Sequence, residues 1–157
     1  MHDDFLRRML GHYRLHPDVR ECDGASELFG WCRRHGIKVA LDTGFNRPIA
    51  NAIITRLGWA ERHLLDATAT SDEVARGRPH PDLIHRLMAV TGVTDPGTVM
   101  KVGDTPVDLA QGHAAGCRYV VGVTSGSHSA EELRPHAPTH LIARLSELQS
   151  VLVPASE

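Results

Sequence analysis

The stretch from Val99 to Leu109 (VMKVGDTPVDL) places the strongest constraint on how this 157-residue chain can fold. A β-branched apolar run ends abruptly in Gly103-Asp104, and the helical spacing of apolar residues resumes after Pro106. This order predicts a strand, a tight loop and a helix. Two carboxylates, Asp104 and Asp108, are therefore expected just beyond the carboxyl end of a strand, where open α/β sheets bind their ligands.

An acidic pair in this place also has a purely structural explanation. Carboxylates near the N-terminus of a helix stabilise it by complementing the helix dipole. Taken alone, Asp104 and Asp108 are equally consistent with ligand binding and with helix capping. The rest of the chain has to separate the two explanations.

Segments of the same kind recur along the chain and predict an α/β fold. Strands are predicted at residues 37–41, 63–68, 99–102, 119–123 and 140–142. Amphipathic helices are predicted at residues 4–13, 24–35, 46–57, 81–91, 106–115, 129–133 and 146–152. Short connections between alternating strands and helices favour a largely parallel sheet with helices on both faces. The length predicts one domain over residues 1–157.

The composition of the chain argues against several classes of binding partner. A formal net charge of −2 gives no basic surface for nucleic acid or an anionic membrane. No apolar run approaches the roughly 20 residues of a membrane helix, and residues 1–8 lack the apolar core of a signal peptide. The three cysteines are widely spaced, which indicates neither a disulfide framework nor a cysteine zinc site. These features predict a cytoplasmic, reduced protein that binds neither nucleic acid nor a membrane.

Three predicted loops carry different chemical groups to the carboxyl edge of the sheet. Thr43 and Gly44 offer a hydroxyl and free backbone N–H groups, and Arg78 offers a guanidinium. These groups suit a phosphate. Asp104 and Asp108 would repel a phosphate unless Mg²⁺ lay between them, since Mg²⁺ binds one or two carboxylates together with substrate oxygens. The three loops together predict a Mg²⁺-phosphate site.

The chain resembles the haloacid dehalogenase (HAD) superfamily, and most closely its phosphonatase-like hydrolases. The matching stretches follow the family's order: IKVALDTGF at 37–45, GRPHPDLI at 77–84, KVGDTPVDL at 101–109, GHAAGC at 112–117 and VGVTSGSHSAEEL at 121–133. The resemblance implies a Rossmann-like HAD core, a parallel sheet flanked by helices. It also implies Mg²⁺-dependent hydrolysis of a small phosphorylated or phosphonate substrate.

The resemblance assigns roles to single residues. Thr43 matches the hydroxyl residue that hydrogen-bonds the phosphoryl group, and Arg78 matches the cation that neutralises the nucleophile and the phosphoryl charge. These two are the expected catalytic residues, and with Gly44 they form the expected substrate-binding set. Asp104 matches the metal-binding carboxylate. Asp108 matches a second acid of the metal site, which either binds the metal or supports a ligand from behind.

One family motif is missing from this sequence. HAD enzymes begin with a strand ending in Asp-x-Asp, whose first carboxylate is the nucleophile. No Asp-x-Asp occurs in the 157 residues, Asp3-Asp4 follows no strand, and Asp42 lacks a second acid two residues on. The chain is therefore expected to be N-terminally truncated, without this strand and without much of the substrate-selecting cap. Residues 1–23 would be a remnant of a cap or linker helix.

The missing strand has a structural consequence. In the family it lies in the middle of the sheet, between the strands that match residues 37–41 and 99–102. Its loss would leave unpaired edges. Either those two strands close up directly, or another chain or a swapped segment, in a homodimer or with a strand-supplying partner, fills the gap. Two functions stay open: a phosphatase- or phosphonatase-type hydrolase, and a catalytically inactive member with a binding or interaction role.

Overall fold

Short strands and α-helices alternate along residues 2–153, the part of the chain that the computed structural model describes. The strands are β1 (Ala40–Thr43), β2 (Ala67–Thr70), β3 (Met100–Gly103), β4 (Tyr119–Val123) and β5 (His140–Ile142). The helices are α1 (His2–Leu15), α2 (Ala25–Arg34), α3 (Arg47–Arg56), α4 (Asp82–Thr91), α5 (Pro106–Ala114), α6 (Ala130–Leu133) and α7 (Leu148–Leu152). No helix in this part of the chain is long and apolar enough to cross a membrane.

The strands form two parallel sheets that are not hydrogen-bonded to each other. β1 pairs with β2, with Asp42 opposite Ala69, and β3 pairs with β4, which pairs with β5. Within residues 2–153 the strand order is therefore β2-β1, a break, and β3-β4-β5. The parallel α/β fold without its usual central strand is confirmed. Of the two alternatives for the gap, direct closure of the strands on either side is excluded, since β1 and β3 are not hydrogen-bonded to each other.

The same helices cover both sheets, so the sheets lie side by side in one layer. On one face, Leu28 of α2 belongs to a buried apolar cluster with Val39, just before β1, and with Val121 and Val123 of β4. A single helix thus packs against strands on both sides of the break. The sheet is one layer with an interruption, not two independent sheets.

Helix α4 bridges the break on the opposite face. Leu83 packs with Ala69 of β2, whereas Ile84 packs with Val120 of β4. Val120 and Val121 point to opposite faces because side chains alternate along a strand. Both faces of the interrupted sheet are therefore covered by helices, as in an ordinary α/β domain.

The strands beside the break are less buried than β4. Taken as whole residues, none in β1 is buried, although the side chain of Asp42 is, and only Lys101 of β3 is buried, whereas four of the five residues of β4 are. Inner strands of an α/β sheet are normally covered on both faces. The exposure of β1 and β3 shows that the break opens the middle of the layer.

Two strands are displaced from their predicted positions. β1 begins at Ala40, since the N–H of Ile37 is bound to the carbonyl of Cys32 at the end of α2. Asp42 and Thr43 consequently belong to the strand and not to the turn after it. β2 begins at Ala67, because His63 has a positive φ of 49° that ends the preceding turn. The predicted helices are confirmed within a few residues at each end, although the last begins as a 3₁₀ turn at Leu145–Glu147.

Helix α1 lies in the segment predicted to be a cap remnant, residues 1–23. It packs against α3, and the ring of Tyr13 meets Phe45 edge to face with centroids 5.4 Å apart. The origin of this segment stays a prediction, as does the extent of the single domain. Met1 and residues 154–157, which that domain includes, lie outside the described residues.

Candidate active site

Arg78 joins the three loops that the sequence singles out. Its Nη1 donates a hydrogen bond to Oδ1 of Asp108 at 2.9 Å. Its Nη2 lies 2.9 Å from the point where a Cβ on residue 44 would stand, so the guanidinium rests against the backbone of Gly44 in space that a side chain would fill. The structure therefore brings together Arg78, the loop after β1 and the start of α5.

Thr43 is the last residue of β1 and precedes Gly44, against which the guanidinium of Arg78 rests. Its Oγ1 accepts a hydrogen bond from the backbone N–H of Phe45 at 3.1 Å. A hydroxyl that accepts in this way still has its own proton to donate. The half-buried hydroxyl of Thr43 can therefore donate to an anion bound at the strand end.

Both carboxylate oxygens of Asp108 already have partners. Oδ2 accepts from the backbone N–H and the hydroxyl of Thr105, at 3.2 and 2.7 Å, in the capping box that starts α5. Oδ1 accepts from Arg78 and lies 3.4 Å from Nζ of Lys101. A direct metal bond by Asp108 stays a prediction. Its contacts favour the other role that the resemblance implies, that of a group supporting the site from behind.

The pKa of Asp108 lies below its ordinary value. Burial by itself raises the pKa of this carboxyl group, but the positive charge of Lys101 and the hydrogen bonds from Thr105 and Arg78 outweigh burial. A carboxyl group with a pKa lowered by folding stabilises the folded state above its unfolded pKa, which is about 3.9. That stabilisation is lost as the pH falls through the lower, folded pKa.

We expect Asp108→Asn to reduce the free energy of unfolding by about 1.5–3 kcal/mol at pH 7, because hydrogen bonds to charged groups contribute about that much. Asparagine keeps one acceptor oxygen for Thr105, but it removes the charge and places an NH₂ group where Oδ1 accepts from Arg78. Below about pH 3.9 the deficit should shrink, since this carboxyl group is then protonated in the unfolded chain and the stabilisation by its charge is progressively lost as the pH approaches the lower, folded pKa. Urea unfolding followed by circular dichroism at pH 7 and pH 3 measures both deficits. An equal deficit at the two pH values would contradict this interpretation.

A buried ion pair connects the two strands beside the break. Nζ of Lys101 on β3 donates to Oδ1 of Asp42 on β1 at 2.6 Å, and both side chains are less than a tenth exposed. Neighbouring strands lie about 4.8 Å apart, and the long lysine side chain can reach an aspartate across about twice that distance. The pair was missed in the sequence, where Lys101 was assigned only to a core strand. The signal in the sequence was a lysine within an otherwise apolar strand whose end is followed by a carboxylate residue.

Several buried polar atoms near the break lack hydrogen-bond partners within residues 2–153. They are Oδ2 of Asp42 and both side-chain polar atoms of Gln111. Gln111 is completely buried and follows Asp108 by three residues, so it lies on the same side of α5. A buried polar group without a partner costs about 1–3 kcal/mol. This part of the molecule therefore has unused hydrogen-bonding capacity.

Asp104 is held by one oxygen and free at the other. Its Oδ2 accepts from the backbone N–H of Ser127 at 2.8 Å and from the Ser127 hydroxyl at 2.9 Å. Its Oδ1 accepts no hydrogen bond from the described residues. Ser127 lies in the loop after β4, and sequence reasoning missed it. The available signal was the position of Ser127 after a predicted strand, because the loop after a neighbouring parallel strand reaches the same edge of the sheet.

The protein groups that could bind a metal ion at this edge of the sheet fit one kind of site. Within residues 2–153 no three His, Cys, Asp or Glu side chains lie close enough together to hold an ion by themselves. Mg²⁺ in phosphate sites takes one or two carboxylates and completes its coordination with water and substrate oxygens. The free oxygen of Asp104 at the strand end suits Mg²⁺ bound together with a phosphate, and not a site built from protein groups alone.

Comparison with known proteins identifies similar sequences. A sequence model of the haloacid dehalogenase-like hydrolases matches residues 2–116. Phosphonoacetaldehyde hydrolase from Latilactobacillus sakei is 34% identical over 114 residues, which cover 73% of this chain and 43% of that protein. The phosphonoacetaldehyde hydrolase of Bacillus cereus strain AH187 is 30% identical over 125 residues, covering 80% of this chain and 45% of its own length. The chain therefore spans less than half the length of these curated relatives.

Solved structures share the fold. CbbY from Rhodobacter sphaeroides, in complex with phosphate, superposes with a TM-score of 0.80 at 21% identity, over 94% of this chain and 64% of that one. A phosphonoacetaldehyde hydrolase-like protein from Oleispira antarctica superposes with a TM-score of 0.71 at 23% identity, over 83% and 55% of the two chains. Both likenesses concern the architecture alone.

Proposed function

Because the chain belongs to the haloacid dehalogenase-like hydrolases, we propose that it carries the phosphate- and Mg²⁺-facing part of a phosphatase- or phosphonatase-type site. The substrate would be a small phosphorylated or phosphonate molecule. The contact of Arg78 with both Gly44 and Asp108 carries this proposal, because it joins three separate loops around one guanidinium. The cytoplasmic location predicted from the composition remains a prediction.

The chain's own residues have distinct tasks in this site. The guanidinium of Arg78 keeps N–H groups beyond the one given to Asp108, and these would bind phosphoryl oxygens. The hydroxyl of Thr43 would donate a further hydrogen bond from the opposite loop. Gly44 leaves the guanidinium its place by having no side chain. Asp108 would keep Arg78 oriented toward the substrate.

Asp104 would hold the metal ion through its free oxygen Oδ1. When bound, Mg²⁺ supplies positive charge that offsets the repulsion between the carboxylates and the phosphoryl oxygens. Asp108 would act behind this site, through Thr105 and Arg78, because both of its oxygens already accept hydrogen bonds.

We further propose that the break between β1 and β3 accepts one strand from a partner polypeptide. The free edges of β1 and β3 support this, since a parallel strand between them would offer N–H and C=O groups to both edges. Two copies that merely exchange segments would still have the same strands per unit and leave the break open. The nucleophilic carboxylate that the family chemistry requires would arrive with this strand.

A second candidate function is phosphate or metal binding without turnover. The absence of any Asp-x-Asp sequence favours it, because the site then has no carboxylate to attack phosphorus. Turnover of p-nitrophenyl phosphate by the 157-residue chain separates the two candidates. Mg²⁺-dependent turnover that Asp104→Asn abolishes would support the hydrolase. Binding of phosphate or Mg²⁺ with no turnover would support the binding function.

We expect Arg78→Ala to weaken the binding of inorganic phosphate, measured by calorimetry with Mg²⁺ present, by about tenfold or more. The reason is that a hydrogen bond to a charged group contributes about 1.5–3 kcal/mol. Arg76→Ala is the matched control, because Arg76 lies two residues away and pairs with Asp82 at the surface. Arg78→Lys keeps the charge and should retain part of the affinity. Equal affinity in the Arg78→Ala, Arg76→Ala and unsubstituted chains would contradict the proposed phosphate site.

A further inference from the structure

We propose that Ser127 is a positioning residue for metal binding by Asp104, an inference that rests on the Mg²⁺ site proposed above. Ser127 reaches Asp104 from the loop after β4, whereas Asp104 follows β3. The two residues are 23 positions apart, so their contact depends on the parallel pairing of β3 with β4. The contact therefore ties the two strand-end loops together at the edge where the ligand would bind.

Ser127 donates two hydrogen bonds to one carboxylate oxygen of Asp104. The backbone N–H and the side-chain hydroxyl both point to Oδ2 of Asp104, at 2.8 and 2.9 Å. A carboxylate with one oxygen held by two donors cannot rotate about its Cβ–Cγ bond without breaking both hydrogen bonds. Oδ1 is thereby kept as the oxygen that is available to a cation. Ser127 would act through Asp104 and would touch neither metal nor substrate.

Two neighbours of Ser127 hold the same loop against Asp104. Nδ1 of His128 lies 3.1 Å from the backbone oxygen of Asp104 and 3.0 Å from the Ser127 hydroxyl. At Gly126, a Cβ atom would stand 2.3 Å from Oδ2 of Asp104. Any side chain at position 126 would therefore displace the carboxylate that Ser127 holds. The loop that contains Ser127 therefore has a conformation that fits the Asp104 side chain closely.

Electron paramagnetic resonance of Mn²⁺ bound to the 157-residue chain tests the inference without any turnover. We expect Ser127→Ala to weaken Mn²⁺ binding by about tenfold, at the low end of the 10–100-fold loss typical when a partner of a metal ligand is removed, because the backbone N–H remains. Ser127→Thr keeps both donors and should bind nearly as the unsubstituted chain does. Gly126→Ala should cost more than Ser127→Ala. Ser125→Ala is the matched control, since Ser125 is exposed in the same loop.

Amide hydrogen exchange gives a second measurement that needs no metal. The N–H of Ser127 should exchange slowly in the unsubstituted chain and faster in Asp104→Ala, which removes its acceptor. A purely structural role for Ser127 would lower the melting temperature of Ser127→Ala without changing the Mn²⁺ affinity of the folded chain.

The outcomes separate this inference from the function on which it rests. Equal Mn²⁺ affinity in the Ser127→Ala, Ser125→Ala and unsubstituted chains would overturn the positioning role and leave the metal site intact. No Mn²⁺ binding by the unsubstituted chain would overturn both. Exchange of the Ser127 N–H at the same rate with and without the Asp104 carboxylate would also overturn the positioning role.

Discussion

Replacing Lys101 by methionine should lower the free energy of unfolding by about 3–5 kcal/mol, the usual cost of breaking a buried ion pair by removing one partner. Lys101 is the only cation within salt-bridge distance of Asp42 in residues 2–153. The substitution keeps an unbranched side chain that is one atom shorter, and it leaves the Asp42 carboxylate buried and uncompensated. Asp108 would lose one of its two cations and keep Arg78. Urea unfolding at pH 7 measures the loss.

Two companion variants separate charge from packing. Lys101→Met combined with Asp42→Asn should recover a large part of the loss, because the uncompensated charge is then gone. Lys38→Met is the matched control, since Lys38 is the other lysine of the chain and is exposed, with its Nζ bound to the carbonyl of Thr91. Its effect should stay within about 0.5 kcal/mol, as for most surface substitutions. A loss in Lys101→Met no larger than that in Lys38→Met would show that the buried pair contributes nothing to stability.

Local sequence patterns predicted most of the elements because their signals are local. Pro106 with Thr105 and Asp108 marks the start of α5, and the structure has the capping box at that place. Asn46 likewise caps α3, its side chain accepting from the N–H of Ile49. Such signals depend on residues within one helical turn of each other. The exact start of β1 was missed because a long-range hydrogen bond, from the N–H of Val39 to Asp66, holds the residues before the strand.

The candidate site was predictable in part. Thr43, Arg78 and Asp104 were found because each stands at a sharp change from strand or loop to helix. The contacts of Arg78 with Gly44 and Asp108 could not be predicted, since they depend on how the separate loops meet. Ser127 and the ion pair of Asp42 with Lys101 were missed for the same reason. A parallel sheet places the carboxyl ends of its strands together, but the sequence does not say which side chains meet there.

The partners of Asp108 changed the interpretation of the acidic pair that opens the sequence. Spacing alone does not distinguish Asp104 from Asp108, and the family resemblance leaves Asp108 either as a metal ligand or as a supporting group. In the structure one is saturated by Thr105, Arg78 and Lys101, whereas the other keeps a free oxygen. The helix-capping explanation and the ligand-binding explanation are thus divided between the two residues. Asp108 belongs to the capping box of α5, and Asp104 keeps the oxygen that the proposed metal site requires.

Amide hydrogen exchange should show the break as a pair of unprotected strand edges. Neighbouring residues in a strand direct their N–H groups alternately to the two sides, so about every second N–H of β1 and β3 points toward the break. We expect these amides to exchange at least about a hundredfold faster than those of β4, which corresponds to about 2.7 kcal/mol less protection. Strand β4 is the internal control, since it pairs with β3 on one side and β5 on the other.

The same measurement tests the proposed strand partner. An extended apolar segment that docks between β1 and β3 would give acceptors to the N–H groups on both edges, and the fast amides of the two strands would become protected together. Protection of only one edge would indicate a strand added to a single half of the sheet. Equal protection of β1, β3 and β4 in the chain by itself would mean that the break is closed in solution, and the proposal of a strand-supplying partner would fall. The break and the Asp42–Lys101 pair therefore lead to one physical expectation: residues 2–153 form two half-sheets bridged by helices and by this ion pair, and a strand docked between β1 and β3 would supply the hydrogen bonds that these two strands do not make with each other.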